Sequence, residues 1–574
     1  MKKYNYPLYE VRNITDLKDL LIQSVKLYAD RPAFWVRPMR NQPYAPITFA
    51  QFDRDAREMG AALSELGLSN KKVAIISKNR YEWAISYFAA AICAGMVVPI
   101  DSDLPFEDIQ YLLNAAEVGC VIYSAKFSDD LMEWNASNKT PAILINMDIA
   151  EDNESELSIR RVLEKGSALI AAGAGSFDDV TIDPSEPKIL IFTSGTIAKP
   201  KGVLLSHKNI VNNLMDMCQM IYIDEHDIFL SVLPLHHTYE CTCGFLCQIY
   251  RGSSIAYCDG LKYIVSNFKE VGATVMLGVP AIFETLYRRL WVVVGKDGKE
   301  RKLKTGLKIS GLARRFGIDI RRKLFTDIHK SFGGKLRLFI SGAAAVDPKV
   351  SKGFRDLGIA FLQGYGITEC SPIVAVNRDK QYKDHAAGMA VPRMEIKLIN
   401  KTEDGVGEIA CLGNSVMVGY YKNNDATDAA FVDGWFKTGD LGVMDKDGFL
   451  TITGRKKNVV VLKNGKNIYP EELESLVGKH PEISECMVYG EYIEKHQETQ
   501  LSIQVLPNSE YIQETYGDKH PEEIRKIIEN IISKVNKRNA RYKYISNVYL
   551  REDEFIKTTT KKIKRYLQTP LQPK

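Results

Sequence analysis

Behind the apolar run Ile189-Leu190-Ile191-Phe192 the sequence reads Thr193-Ser194-Gly195-Thr196-Ile197-Ala198-Lys199-Pro200-Lys201-Gly202. Hydroxyls, glycines and lysines crowded behind a buried strand make a concave set of donors that suits phosphate oxygens. The spacing is not that of a Walker loop. On residue types alone, a solvated loop is an equal reading. His236-His237, after Leu233-Pro234-Leu235, is a second candidate for charge chemistry, although a histidine pair is more often structural. The ten cysteines fall in no metal-binding spacing, and Cys241, Cys243 and Cys247 are crowded without forming C-x-x-C. Free, mostly buried thiols in a reducing compartment are the expectation.

These residues need a scaffold. Short apolar runs at 73–76, 120–123, 142–145, 189–192, 274–277 and 338–340 recur between longer helical patterns. That alternation predicts an α/β fold, a mostly parallel sheet with covering helices, whose active site gathers at strand ends. After about Gly388 the texture changes to strand-and-turn pairs, with Gly405-Val406-Gly407, Asp433-Gly434 and Asp447-Gly448 as turns. A β-rich part over 388–453 is expected. Beyond Gly454-Arg455-Lys456-Lys457 come a helix after Tyr469-Pro470, alternating strand patterns and a helix over 521–535. They predict a separate α+β unit over 457–574, following a larger unit over 1–456. A length of 574 residues requires more than one domain in any case.

Composition narrows the class. Apolar residues at 45% and charged residues at 26%, without repeats, exclude disorder, a fibre or a solenoid. The net charge of +5 conceals an asymmetry: 288–337 holds 16 Lys/Arg against 4 Asp/Glu, hence +12, leaving −7 elsewhere. No nucleic-acid-binding signature accompanies that patch, so nucleic acid is not expected as a partner. Trp83 to Ile100 runs 18 residues without a charge, the lower limit of a membrane span. Gly95 and Pro99 favour instead a helix ending near Gly95 and a short strand through Met96-Val97-Val98. Met1 to Leu20 lacks the continuous apolar core of an export signal, so a cytoplasmic location is expected.

Thr193-Ser194-Gly195-Thr196 followed by Pro200-Lys201-Gly202 resembles the phosphate loop of the adenylate-forming superfamily, which holds acyl-CoA synthetases, luciferases and peptide-synthetase adenylation domains. Further pieces follow in that family's order. Gly364-Tyr365-Gly366-Ile367-Thr368-Glu369 resembles its adenine and magnesium motif, Thr438-Gly439-Asp440 its ribose motif, and Gly454-Arg455-Lys456-Lys457 its hinge. Lys466 to Glu474 resembles the start of its mobile domain, and the stretch from Ile556 to Arg565 its last lysine motif. There are departures: Ile197 and Ala198 replace a threonine and a glycine, Ile556 a proline and Lys561 a glycine.

The resemblance implies activation of a carboxylic acid by ATP as acyl-AMP, then transfer to a thiol, with magnesium and coenzyme A as companions. It assigns Thr193, Ser194, Gly195, Thr196 and Lys201 to the phosphates, and Glu369 with Thr196 to magnesium. Gly342, Ala343, Gly364, Tyr365, Gly366 and Thr368 fall to the base side, Asp440 and Arg455 to the ribose side. His237 falls beside the acyl carboxylate, and Lys562 reaches the carboxylate and α-phosphate from the mobile domain. Lys457 absorbs the hinge rotation.

The acid is read indirectly. The basic segment between Tyr287 and Leu338 resembles an additional helical segment of long-chain fatty acyl-CoA synthetases, so a fatty acid substrate and peripheral contact of 288–337 with an anionic inner membrane face are expected; a solvated helical face is the alternative. Coenzyme A is the expected acceptor, with an acyl carrier protein as the alternative. A non-catalytic nucleotide or acyl sensor stays open because of the motif departures.

Overall fold

The protein is described by a computed structural model over residues 4–39, 42–173, 177–193, 200–462, 466–494, 498–557 and 563–568. The apolar runs form two large sheets. One has eight strands, with Lys72–Ile76 between Met96–Ile100 and Val118–Tyr123, all parallel. Val73, Ala74, Ile75 and Ile76 are all fully buried, as the strands of a sheet covered on both faces must be. Pro187–Thr193 runs parallel to Met96–Ile100, and the chain returns antiparallel as Lys201–Ser206. The segment that resembles a phosphate loop therefore joins two strands, with Thr193 opposite Lys201.

The other large sheet has fourteen strands among the described residues and two textures. Pro32–Val36, Ser254–Tyr257, Ile228–Ser231, Val275–Gly278, Leu338–Ser341 and Ala360–Gly366 are parallel neighbours in that order. The ladder continues antiparallel through Ile373–Val376, Gly388–Ala390, Phe449–Arg455, Trp435–Met444, Gly407–Gly413 and Met394–Ile399. The strand-and-turn stretch after Gly388 is thus hydrogen-bonded into the large sheet. Asp433 and Gly434 both take positive φ, 48° and 78°, the type I′ geometry that turns Phe431–Val432 back into Trp435–Met444.

The uncharged stretch from Trp83 resolves into the helix Tyr81–Cys93 and the strand Met96–Ile100. Every residue of that helix from Trp83 onward is buried, which a helix apolar on all sides requires. Its Trp83, Tyr87 and Phe88 gather around Phe245, whose segment Tyr239–Leu246 follows a strand of the other sheet. This aromatic cluster binds the two sheets together. Among the described residues no helix is long and apolar enough to cross a membrane.

After the short turn Lys456–Asn458 a smaller α+β unit begins. Ile483–Ile493 and Glu498–Pro507 pair antiparallel, with Ile545–Leu550 added parallel. Helices Pro470–Val477 and Pro521–Asn536 cover that sheet and share with it a core of Leu473, Val477, Val488, Ile503, Ile528 and Ile532.

Candidate active site

Several of the residues singled out in the sequence lie at or just beyond the carboxyl ends of two neighbouring parallel strands, the place where open α/β sheets bind ligands. Gly342 and Ala343 follow Leu338–Ser341, and Gly364, Tyr365 and Gly366 end the neighbouring Ala360–Gly366. Ala343 holds φ at +72°, a left-handed conformation that costs a non-glycine residue energy and is concentrated at ligand sites. At Gly342 a Cβ would lie 2.8 Å from the Tyr239 ring, so only glycine lets the aromatic lie against this turn. The Ser341 hydroxyl beside it is buried and has no hydrogen-bond partner among the described residues.

Asp440 sits next in the sheet to Arg455, its register partner, and only 5% of it is exposed. Arg455 Nε stands 2.9 Å from Asp440 Oδ1, and the Tyr365 hydroxyl donates to Oδ2 at 2.7 Å. Burial, then the Asp440 carboxylate beside it, push the Tyr365 phenol well up, so it remains a donor. Gly439 turns the chain with φ +70°, and the Asp440 N–H donates to the Thr438 hydroxyl at 3.1 Å. Three sequence-predicted residues from three separate motifs are therefore one cluster, and its carboxylate is an acceptor suited to hydroxyls.

Thr368 and Glu369 form the short turn Thr368–Cys370. Glu369 Oε1 accepts from the Tyr420 hydroxyl at 3.0 Å, and the Lys201 ammonium lies 4.7 Å from the centre of the Tyr420 ring. Tyr420 thereby joins the start of the return strand to the carboxylate. Thr193 Oγ1 donates to the Lys201 carbonyl at 3.4 Å, closing the neck of the same segment. Ser194, Gly195, Thr196 and Lys562 lie outside the described residues, as do Ile197, Ala198 and Lys561.

His236 and His237 touch through their Nε2 atoms at 3.2 Å, and His236 Nε2 lies 3.5 Å from Asp101 Oδ2. Asp101 and Asn79 come from strand ends of the eight-stranded sheet, and Asn79 Oδ1 accepts from the Leu235 N–H at 2.9 Å. Burial lowers the His236 imidazole to about 3, which keeps it neutral. Immediately after, Tyr239–Leu246 widens to π-helical turns, a form frequent at functional sites. Its Glu240 is 1% exposed, accepts from the Ser231 hydroxyl at 2.6 Å, and has no partner at Oε2 among the described residues. Burial raises its carboxyl to about 8. Tyr239, Glu240, Asn79, Asp101 and Tyr420 were not legible as site residues, because each gains its place through a partner far along the chain.

The polar groups present fit a nucleotide with its metal: a strained turn with a buried hydroxyl unpartnered among the described residues, a buried carboxylate at Asp440, and a second carboxylate, Glu369, bonded to the Tyr420 over whose ring Lys201 lies. A two-sheet α/β body with this site at its strand ends, followed by a small α+β unit, defines an enzyme of the adenylate-forming class. Residues 21–421 match the family described as AMP-binding enzyme, and residues 472–562 its C-terminal domain. The chain belongs to the AMP-binding enzyme family. It is 29% identical to the long-chain-fatty-acid–CoA ligase FadD15 of Mycobacterium bovis over 464 residues, covering 78% of this chain and 76% of that protein. Fatty acyl-CoA synthetase B of Dictyostelium discoideum is 28% identical over 557 residues, 90% of this chain and 80% of that one. The anthranilate CoA ligase AuaEII, solved with anthranoyl-AMP, shares the fold with a TM-score of 0.75 at 19% identity, over 98% of this chain and 97% of its own.

Proposed function

We propose that the chain is an AMP-forming acyl-CoA synthetase that activates a long-chain fatty acid and passes it to the thiol of coenzyme A. The observation that carries this reading is the gathering of Gly342, Ala343, Tyr365, Glu369, Asp440 and Arg455 around the end of the strand Ala360–Gly366 in a chain of this family. The names of its sequence relatives support the choice of acid.

In the first half-reaction a carboxylate oxygen bonds to the α-phosphorus of ATP and the bond to pyrophosphate breaks. Ser194, Gly195, Thr196 and Lys201, with Thr193 at the neck, take the phosphate oxygens. Magnesium, when bound, offsets phosphate charge, and Glu369 with Thr196 would hold it. Asp440 accepts from the ribose hydroxyls, with Arg455 fixing the carboxylate, while Gly342, Ala343, Gly364, Tyr365, Gly366 and Thr368 bound the base. His237 lies on the acyl side. Lys562 donates to the carboxylate and the α-phosphate, where charge develops. In the second half-reaction the thiol sulfur bonds to the acyl carbon, AMP leaves, and the thiol proton passes to solvent. The two units divide at Lys457, with 1–456 carrying nucleotide and acid and 457–574 moving about the hinge.

The basic segment 288–337 supplies the contact with an anionic membrane face, where fatty acids partition. Helix Glu300–Arg315 presents Ile309 and Leu312 outward, 51% and 57% exposed, and Phe316 just beyond it is 76% exposed. The spacing i, i+3, i+7 puts all three on one face, amid lysines and arginines, the pattern of an interfacial helix.

The test is pyrophosphate release from ATP and magnesium across acetate, octanoate, palmitate, oleate and benzoate, each with and without coenzyme A. Release with the long acids together with thioester formation is expected. Release without thioester moves the acceptor to a carrier protein, and silence across the acids defeats the enzymatic reading.

A further inference from the structure

In the C-terminal tail the residues on either side of positions 558–562 pair with each other. Lys557 and Ile563 are bridged antiparallel, and the Lys564 N–H donates to the Ile556 carbonyl at 2.8 Å. Positions 558–562 fall between those paired residues in the sequence, and Arg565 follows at once. Its guanidinium donates to the Val488 carbonyl at 2.9 Å and to Glu474 Oε1 at 2.6 Å, and stands 4.0 Å from Glu471. The other limb is held by Lys557, paired with Glu485 and, at 3.0 Å, with Glu554.

Glu471 and Glu474 lie one turn apart on the helix Pro470–Val477. Glu474 faces the tail and also accepts from the Val488 N–H at 2.7 Å. Glu471 faces the hinge: its Oε1 accepts from Asn458 Nδ2 at 2.6 Å, and Asn458 ends the turn Lys456–Asn458. Glu471 Oε2 is buried with no partner among the described residues and crowds Gly454, where a Cβ would lie 2.7 Å from it. The residue after Gly454 is Arg455, which pairs with Asp440. One helix turn thus connects the ribose-side strand, the hinge and the base of the tail.

We propose that Arg565 is a positioning residue for adenylate formation, fastening the residues just after Lys562 through Glu474 to the helix that Asn458 and Glu471 tie to the hinge, so that this anchor turns with the hinge. This rests on the reading of Lys562 as the adenylation lysine. A flexible lysine on an untethered tail reaches the reacting atoms rarely, and a misplacement of about 1 Å costs roughly 10²-fold in rate. Arg565 makes no demand on the thioester step, for which Lys562 is not required.

The test compares R565A, E474Q, K562A and the double variant K562A/R565A in two half-reactions: acyl-dependent exchange of pyrophosphate into ATP, and thioester formation from supplied acyl-AMP. Expected for R565A is a loss of about 10- to 100-fold in the exchange kcat with the KM for ATP little changed, and thioester formation within about twofold of the parent. E474Q, which keeps the side-chain volume, gives a smaller loss of the same kind. The double variant is no slower in exchange than K562A, because Arg565 acts only through that lysine. R565A and E474Q that lower both half-reactions equally, or leave exchange untouched while K562A abolishes it, overturn the positioning role alone. K562A that retains full exchange overturns the lysine assignment and the positioning role with it.

Discussion

The Tyr420 hydroxyl donates to Glu369 at 3.0 Å although the two residues stand 51 positions apart and only one belongs to a recognisable motif. The bond exists because Gly419–Tyr420 pairs antiparallel with the return strand Lys201–Ser206, which brings the tyrosine between the phosphate-side lysine and the proposed metal carboxylate. A hydrogen bond to a charged group contributes about 1.5–3 kcal/mol.

Y420F removes that bond and leaves the ring under Lys201. The magnesium concentration giving half-maximal pyrophosphate exchange should rise by about tenfold, the equivalent of about 1.4 kcal/mol. Magnesium titration followed by intrinsic fluorescence of the ATP-bound protein provides a reading independent of turnover. An unchanged magnesium dependence would remove Tyr420 from the site.

Asp440 accepts from Tyr365 and pairs with Arg455, so D440A strands both. The buried phenol left unpaired should cost about 1–3 kcal/mol of stability, read by thermal unfolding without nucleotide. ATP affinity measured by calorimetry should fall as well. D440A that binds ATP as well as the parent would contradict the ribose assignment.

Glu240 is held neutral by burial, with its carboxyl raised to about 8 from the ordinary 4.5. A folded-state pKa above the unfolded one means that the folded chain binds the extra proton. This contribution to stability is complete below about pH 4.5 and is lost progressively as pH rises through about 8. E240Q should flatten the decline in unfolding temperature between pH 5 and 9 and gain most over the parent at the alkaline end. Parallel curves for the two proteins would refute the assignment of that proton.

Phe316 and its neighbours offer a direct reading of the membrane contact. Sedimentation with vesicles containing an anionic phospholipid should carry the parent down, less so at 0.5 M salt, and vesicles of phosphatidylcholine alone should carry little. The variant I309D/L312D/F316D should stay in solution while releasing pyrophosphate from a detergent-solubilised acid at the parental rate. Equal binding by parent and variant would locate the contact elsewhere.

Strands were legible wherever burial on both faces leaves an apolar run, as at Val73–Ile76, and turns wherever positive φ selects Asp-Gly or Gly. The helix Tyr81–Cys93 was legible from Gly95 and Pro99 behind it. The π-helical turns at Tyr239–Leu246 were not, since an i+5 bond leaves no signature in residue type. The continuity of the large sheet was equally hidden: the change of texture after Gly388 marks a switch from parallel to antiparallel pairing, and pairing partners cannot be read from either strand alone. Motifs put Asp440 and Arg455 on the ribose side without linking them, whereas adjacent strands make them one ion pair. Tyr420 and Arg565 carry their meaning only through partners on other elements.

That continuous ladder decides where the chain can be cut. A fragment ended at residue 387 would strip away the antiparallel half of the fourteen-stranded sheet, leave Ile373–Val376 as a raw edge and invite aggregation. A fragment ended at Lys456 severs no rung of either large sheet, since the three-stranded sheet beyond it is built entirely from later residues. Limited proteolysis and recombinant dissection should therefore find one durable boundary, at the hinge, and none where the sequence texture first changes.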